Sequence, residues 1–297
     1  MRFLTPGRRA TMALVALTLI WGYSWVTSKM ALQYAAPFAF ATQRAGIGAA
    51  TLFAALIIAR RSLRLQLGWQ LVLYGLVQTG LLTAVQSWAL IAGGAGKTAV
   101  LMYTAPVWTL LLAWPLLGER VRGSQWLAAA ATLTGLTLII SPWNLDVSPL
   151  AMVLGVASAL CWSIATILVK RMGKSGAELL LLNAWQMAIG TLFLIAVVAV
   201  VPEPATRWTG EYVGLLGFTA VITTGLGWYL WLYILERLPA WEASLSLLGV
   251  PVVAIISSRL QLGEMTTGIE LAGMLLIGTG LALLSLVNWR QQLGSKE

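Results

Sequence analysis

Apolar runs of about 20 residues recur ten times along the chain. They cover 12–32, 37–59, 69–92, 97–117, 124–141, 150–170, 178–201, 212–235, 240–261 and 268–289. Each is long enough to cross about 30 Å of hydrocarbon as a helix. Short connections separate them and carry the breakers Pro37, Gly93-Gly94, Ser141-Pro142, Pro149, Pro202, Pro204 and Pro239. Leu and Ala dominate the runs, and period-two alternation is absent, which disfavours a β-barrel. Of the 297 residues, 59% are hydrophobic and 10% are charged, whereas a soluble domain is roughly a quarter charged. So apolar a chain has no water-facing solution at this size. The expected fold is an all-α polytopic membrane protein with ten transmembrane helices. The run after MRFLTPGRRA continues to Leu32, too long for the apolar region of a signal peptide, so it reads as a retained first helix.

The charge pattern orients these spans. The formal net charge is +9. With ten spans both termini share one side. Placing them in the cytoplasm collects Arg2, Arg8, Arg9, Arg60, Arg61, Arg64, Arg120, Arg122, Lys170, Arg171, Lys174, Arg237, Arg290 and Lys296, which is 14 basic residues. The other side holds Lys29, Lys97, Arg207 and Arg259, and Arg44 lies within the second span. This bias follows the positive-inside rule and supports both termini in the cytoplasm; the expected location is the cell inner membrane. It accounts for the basic residues without a nucleic-acid partner. Trp69, Trp126, Trp143, Trp208, Trp241 and Trp289 fall at span ends and read as headgroup-level belts.

The two halves resemble each other. Pro106, Leu117-Gly118-Glu119, Gly123 and Thr134-Gly135-Leu136 return as Pro251, Leu262-Gly263-Glu264, Gly268 and Thr279-Gly280-Leu281, every pair 145 positions apart. Trp21 and Lys29 match Trp162 and Lys170 at an offset of 141. Arg44 and Gly48 match Gln186 and Gly190 at 142. Five spans per half is an odd number, so the second half enters the membrane from the opposite side. Inverted repeats of this kind give two related states by exchanging the roles of the halves, the physical basis of alternating access. The expected domains are a first repeat over 12–141 and an inverted second repeat over 150–289.

The stretches Pro106–Gly135 and Pro251–Gly280 resemble the EamA-type module of the drug/metabolite transporter superfamily, and Trp21 and Trp162 also fit its pattern. In the second stretch Met265 stands where the module usually has Arg. More narrowly the chain looks like the superfamily's YddG-type aromatic amino-acid exporters. The resemblance implies a ten-helix inverted-repeat fold. It also implies a central cavity lined by spans one, three, four, six, eight and nine, with spans five and ten peripheral.

Polar and aromatic residues inside apolar spans are costly to expose to lipid, so their placement is informative. Trp21, Ser24, Trp25 and Ser28 share one helical face. Tyr74, Gln78 and Leu82 share another, with Gln86 to one side. Tyr103 lies just before Pro106. Ser158, Cys161, Trp162 and Ala165 align, as do Thr224, Trp228 and Trp231, with Tyr229 beside them. Ser244 and Ser246 fall in the ninth span. Each such residue taken alone is also explained by helix–helix contacts. As a set, Trp21, Gln78, Leu82, Tyr103, Trp162 and Trp228 are the candidate substrate-binding residues. Their aromatic faces suit a ring or an ammonium group, and Gln78 suits either end of an amino acid. Pro106 and Pro251 are matched candidate hinges.

All ten carboxylates fall in loops or at span ends, and there is no histidine. Neither a proton relay within the bilayer nor an enzyme's nucleophile–base pair is expected. Downhill export or weak coupling is. The lone Cys161 excludes a disulfide framework, and no metal or other cofactor is implied. Glu119 and Glu264 are expected to brace the turns after spans four and nine. Arg44 is expected to snorkel or pair structurally, with an inner vestibule as the other reading. The function expected is a carrier of small metabolites, chiefly amino acids including aromatic ones. The alternatives are a nucleotide-sugar carrier, which needs a basic cavity, and a lipid flippase, which needs a lateral opening.

Overall fold

The computed structural model describes residues 6–64, 68–93, 101–141, 148–173, 178–263 and 267–294. Among these every regular element is helical. Helix α1 covers Pro6–Ala31 and α2 covers Pro37–Ile58. Helix α3, Gly68–Gly75, runs through a π-helical segment, Leu76–Leu81, into α4, Leu82–Gly93. Helices α5 (Ala105–Leu117), α6 (Gln125–Ile140), α7 (Pro149–Gly173) and α8 (Leu179–Val200) follow. Helix α9, Gly210–Gly217, runs through a second π segment, Phe218–Leu226, into α10, Gly227–Leu235. Helices α11 (Ala240–Ser246), α12 (Gly249–Leu262) and α13 (Gly268–Gly294) complete the chain. Among the described residues eight helical stretches are long and apolar enough to cross a membrane, and α5 and α6 are shorter apolar helices. The fourth run was expected to begin at Lys97, which lies outside the described residues, as do Trp143 and Glu264.

Local chemistry explains the boundaries. Pro37 opens α2 at a position where the missing N–H costs nothing. The repeated Leu-Gly-Glu turns end α5 and α12 on glycines in the left-handed region, φ 72° at Gly118 and 69° at Gly263, which other residues enter at a cost. Pro106 and Pro251 do not bend continuous helices, as expected from sequence; they sit in the first turns of α5 and α12. A proline ring clashes with the carbonyl four residues earlier, here those of Met102 and Leu247. The chain breaks beside them, at Tyr103-Thr104 and at Leu247-Leu248. The hinge candidates therefore mark broken helices.

The two π segments begin 142 positions apart, the offset that relates Arg44 to Gln186 and Gly48 to Gly190. Each packs against the other half of the chain, the first on α8 and the second on α2. Gly190 and Gly48 make those approaches possible. A Cβ on Gly190 would sit 2.3 Å from Thr79 Cβ, and one on Gly48 would sit 3.2 Å from the Ala220 carbonyl. Likewise α1 packs on α12 while α7 packs on α5, and α4 packs on α7 while α10 packs on α1. Helices α6 and α13 pair with each other through close glycine contacts at Gly135, Gly273 and Gly280.

Of the expected interfacial tryptophans, Trp69, Trp126 and Trp208 are exposed. Trp241 is not: it is 3% exposed and part of the main apolar core. The reason is a contact from far along the chain. Glu119 accepts the Ala240 backbone N–H at 2.5 Å, capping α11 and holding its first turn against the bundle.

Candidate cavity and its tryptophan floor

A cavity opens in the half of the bundle that holds the end of α1 and the start of α2. Its empty space is about 1510 Å³, the mouth included. Exposed Lys29 stands with Leu32 and Pro37 toward that end of the lining. Deeper, the wall carries Trp21, Trp25, Arg44, Gln78, Tyr103 and Trp228.

The floor is made of three indoles, Trp21, Trp162 and Trp228, backed by a fourth, Trp231, in the core. Trp21 stands against Trp162 and Trp228 at centroid distances of 5.5 and 5.2 Å, both edge-to-face. Trp162 lies 5.2 Å from Trp228 and 5.6 Å from Trp231. Edge-to-face rings attract through their quadrupoles. One hydrogen bond fixes the corner: the Trp21 indole N–H donates to the Thr223 carbonyl at 3.0 Å, within the second π segment. Gly227 admits that ring, since a Cβ there would lie 2.4 Å from Trp21 Nε1. Single-turn π bulges are common at functional sites because they re-aim side chains.

All six sequence-selected binding candidates, Trp21, Gln78, Leu82, Tyr103, Trp162 and Trp228, line this one cavity. Pro106 joins them; Pro251 is buried behind Val250, which lines it. Tyr103 stands 5.9 Å from Trp25, ring to ring. Gln78 is 1% exposed, and neither atom of its amide meets a partner among the described residues. Tyr74 and Trp231 belong to the surrounding core and do not line the cavity. Ser158 bonds back to the carbonyls of its own helix at 3.0 and 2.8 Å. Ser163, unremarked in the sequence, ties α7 to the Ala105 carbonyl at 2.9 Å.

Two features depart from expectation. The second span contributes to the wall through Phe40, Ala41, Arg44 and Ala45. Arg44 therefore faces the vestibule, its guanidinium 5.6 Å from the Phe40 ring centre. The other departure is the π winding, which slides the register of the third and eighth spans. Glycines flank both segments, but no local pattern distinguishes a π turn from an α turn.

At the far end of the bundle the floor is backed by a polar clasp. Lys170 Nζ donates to the carbonyls of Leu235 and Leu238 and lies 3.9 Å from Glu119 Oε1. Glu119 thus braces the other half of the chain rather than its own turn. At the mouth, the α1–α2 loop is tied to the first turn of α9 and to the segment before it. The Tyr34 hydroxyl donates to Glu211 at 2.7 Å, a bond that also holds the phenol above its ordinary pKa. The Arg207 N–H donates to the Tyr34 carbonyl at 2.8 Å.

Comparison with known proteins bears on what such a cavity does. The EamA-like transporter family matches residues 8–141 and again 149–286. The uncharacterized transporter YoaV of Bacillus subtilis strain 168 is 31% identical over 283 residues, 92% of this chain and 95% of its own. A probable amino-acid metabolite efflux pump of Escherichia coli K12 is 27% identical over 279 residues, 89% of this chain and 91% of its own. A crystal structure of a protein 18% identical in sequence superposes with a TM-score of 0.81, covering 95% of this chain and 98% of the other. That likeness is one of fold.

Proposed function

The chain belongs to the EamA-like transporter family, and from that premise we propose that it exports small metabolites, chiefly amino acids including aromatic ones, by alternating access. The carrier has ten spans in two inverted repeats, 12–141 and 150–289, with both termini on the cytoplasmic side of the inner membrane. The exchanged packing of the halves and the paired π segments support the repeat. The cavity faces outward and the Lys170 clasp closes the cytoplasmic side.

One observation carries the substrate reading. Trp21, Trp25, Tyr103, Trp162 and Trp228 line a single cavity together with the unpartnered amide of Gln78. Aromatic walls stack on rings and attract ammonium groups. A buried unpaired amide favours a ligand that satisfies it, since leaving it unpaired costs about 1–3 kcal/mol. The pump named for amino-acid metabolites among the relatives agrees with this reading.

The second reading is a nucleotide-sugar carrier, favoured by Lys29 and Arg44 in the wall. Flux of labelled tryptophan, threonine and a nucleotide sugar in proteoliposomes separates the two, with Trp162→Ala beside the parent. Saturable amino-acid flux that the variant loses is the expected result. Flux of the nucleotide sugar alone overturns the amino-acid reading. If none of the three moves, lipid scrambling in the same vesicles tests the flippase.

A further inference from the structure

The charge lining the cavity is one-sided. Among the described lining residues the ionised side chains are Lys29, exposed toward the mouth, and Arg44, deeper; none is acidic. No described carboxylate forms an ion pair with Arg44. Its counterpart in the second half shows what a purely structural residue looks like there. Gln186 is fully buried, accepts the Thr79 hydroxyl at 2.7 Å and donates to Asn183 at 2.8 Å. Among the described residues Arg44 keeps only the face of Phe40.

A half-buried guanidinium without a counter-ion is costly, and a ligand carboxylate relieves that cost through two parallel N–H···O bonds. We propose that Arg44 is the counter-ion of the substrate's carboxylate, so that the carboxylate is the group the site requires and the ammonium is dispensable. This rests on the reading of the cavity as a small-metabolite site and narrows it to aromatic and apolar carboxylates, zwitterionic amino acids among them. Arg44 in the wall, with no acidic side chain in the described lining, opposes a ligand that carries an ammonium alone. The Gln78 amide can donate to the carboxylate or accept from an ammonium, so it tolerates both kinds of substrate.

The test measures proteoliposome flux of four indoles through the full chain: tryptophan, tryptophanamide, tryptamine and indole-3-propionate. Tryptophan and indole-3-propionate are expected to move, and the amide and amine at least about tenfold more slowly. Arg44→Gln is expected to erase that preference, while Arg44→Lys, which keeps the charge and loses the fork, retains part of it. The comparison of ligands on the parent protein needs no variant to fold. Equal flux of tryptophan and its amide overturns the inference and leaves the amino-acid reading standing. So does undiminished tryptophan flux through Arg44→Gln. Flux of indole-3-propionate without tryptophan supports the inference and overturns the amino-acid reading. Flux of none of the four overturns both.

Discussion

Lys170 Nζ lies 3.9 Å from Glu119 Oε1 and donates to the carbonyls of Leu235 and Leu238, joining the end of α7 to the turns after α5 and α10. Both side chains are largely sheltered, at 19% and 16% exposure, so water screens the pair only partly. Glu119 also caps α11, and Glu242 in that helix's first turn feels both charges. The clasp lies at the end of the bundle opposite the cavity mouth. In sequence, Lys29 matches Lys170 and Glu264 matches Glu119 at offsets of 141 and 145.

Loosening the clasp should therefore open that end. Val169, 5% exposed, sits next to Lys170 on α7. In a Cys161→Ala background, V169C should react with a hydrophilic maleimide about tenfold faster when Lys170→Ala is added. Hydrogen bonds to charged groups are worth about 1.5–3 kcal/mol, enough for such a population shift. Unchanged labelling would mean that the clasp does not hold the closed state. The charge-reversed pair Lys170→Glu with Glu119→Lys should recover part of the protection.

Glycine contacts make a second prediction. A Cβ at Gly227 lands on Trp21 Nε1, and one at Gly190 lands 2.7 Å from the Gly80 nitrogen, so Gly227→Ala and Gly190→Ala must displace backbone or indole. Overpacking of this kind costs about 1–3 kcal/mol. Both variants should melt at lower temperature in detergent. Gly278→Ala is the contrast: nothing lies within 4 Å of its Cβ, and the helix gains from alanine. Its Tm should hold or rise. A loss at Gly278→Ala as large as at the other two positions would mean that close approach does not set the effect.

These contacts also mark what could be read from the sequence. The apolar runs, their proline and glycine boundaries and the six cavity-lining candidates were legible, because hydrophobic length and helical spacing are local properties. The Leu-Gly-Glu repeat was legible as a pattern, and its φ-positive glycines supply the reason. The π segments were not, since a five-residue hydrogen-bond step leaves no distinct local signature. Arg44 illustrates the other limit. Its depth in the second span was plain, but whether it points at lipid, backbone or cavity depends on which helix packs beside it. Trp241 fails for the same reason. A span-end tryptophan reads as interfacial until a distant carboxylate, Glu119, caps its helix against the core.

The proline breaks carry the last prediction. Pro106 and Pro251 interrupt the fourth and ninth runs at matched positions, and residues at each break, Tyr103 in one and Leu247 and Leu248 in the other, line the cavity. A broken helix lets its two halves move separately, whereas a continuous one couples them. Replacing either proline by alanine restores an N–H and removes the clash with the carbonyl of Met102 or Leu247. Pro251→Ala should let α11 and α12 join and stiffen the wall. The expected result is a maximal flux several-fold lower with substrate binding within about twofold of the parent, because the lining residues remain. The double variant with Pro106→Ala should be slower than either single change. Measuring transport rate and equilibrium binding on the same preparation separates the two. Weakened binding at unchanged maximal rate would mean that the breaks shape the site and do not serve as hinges.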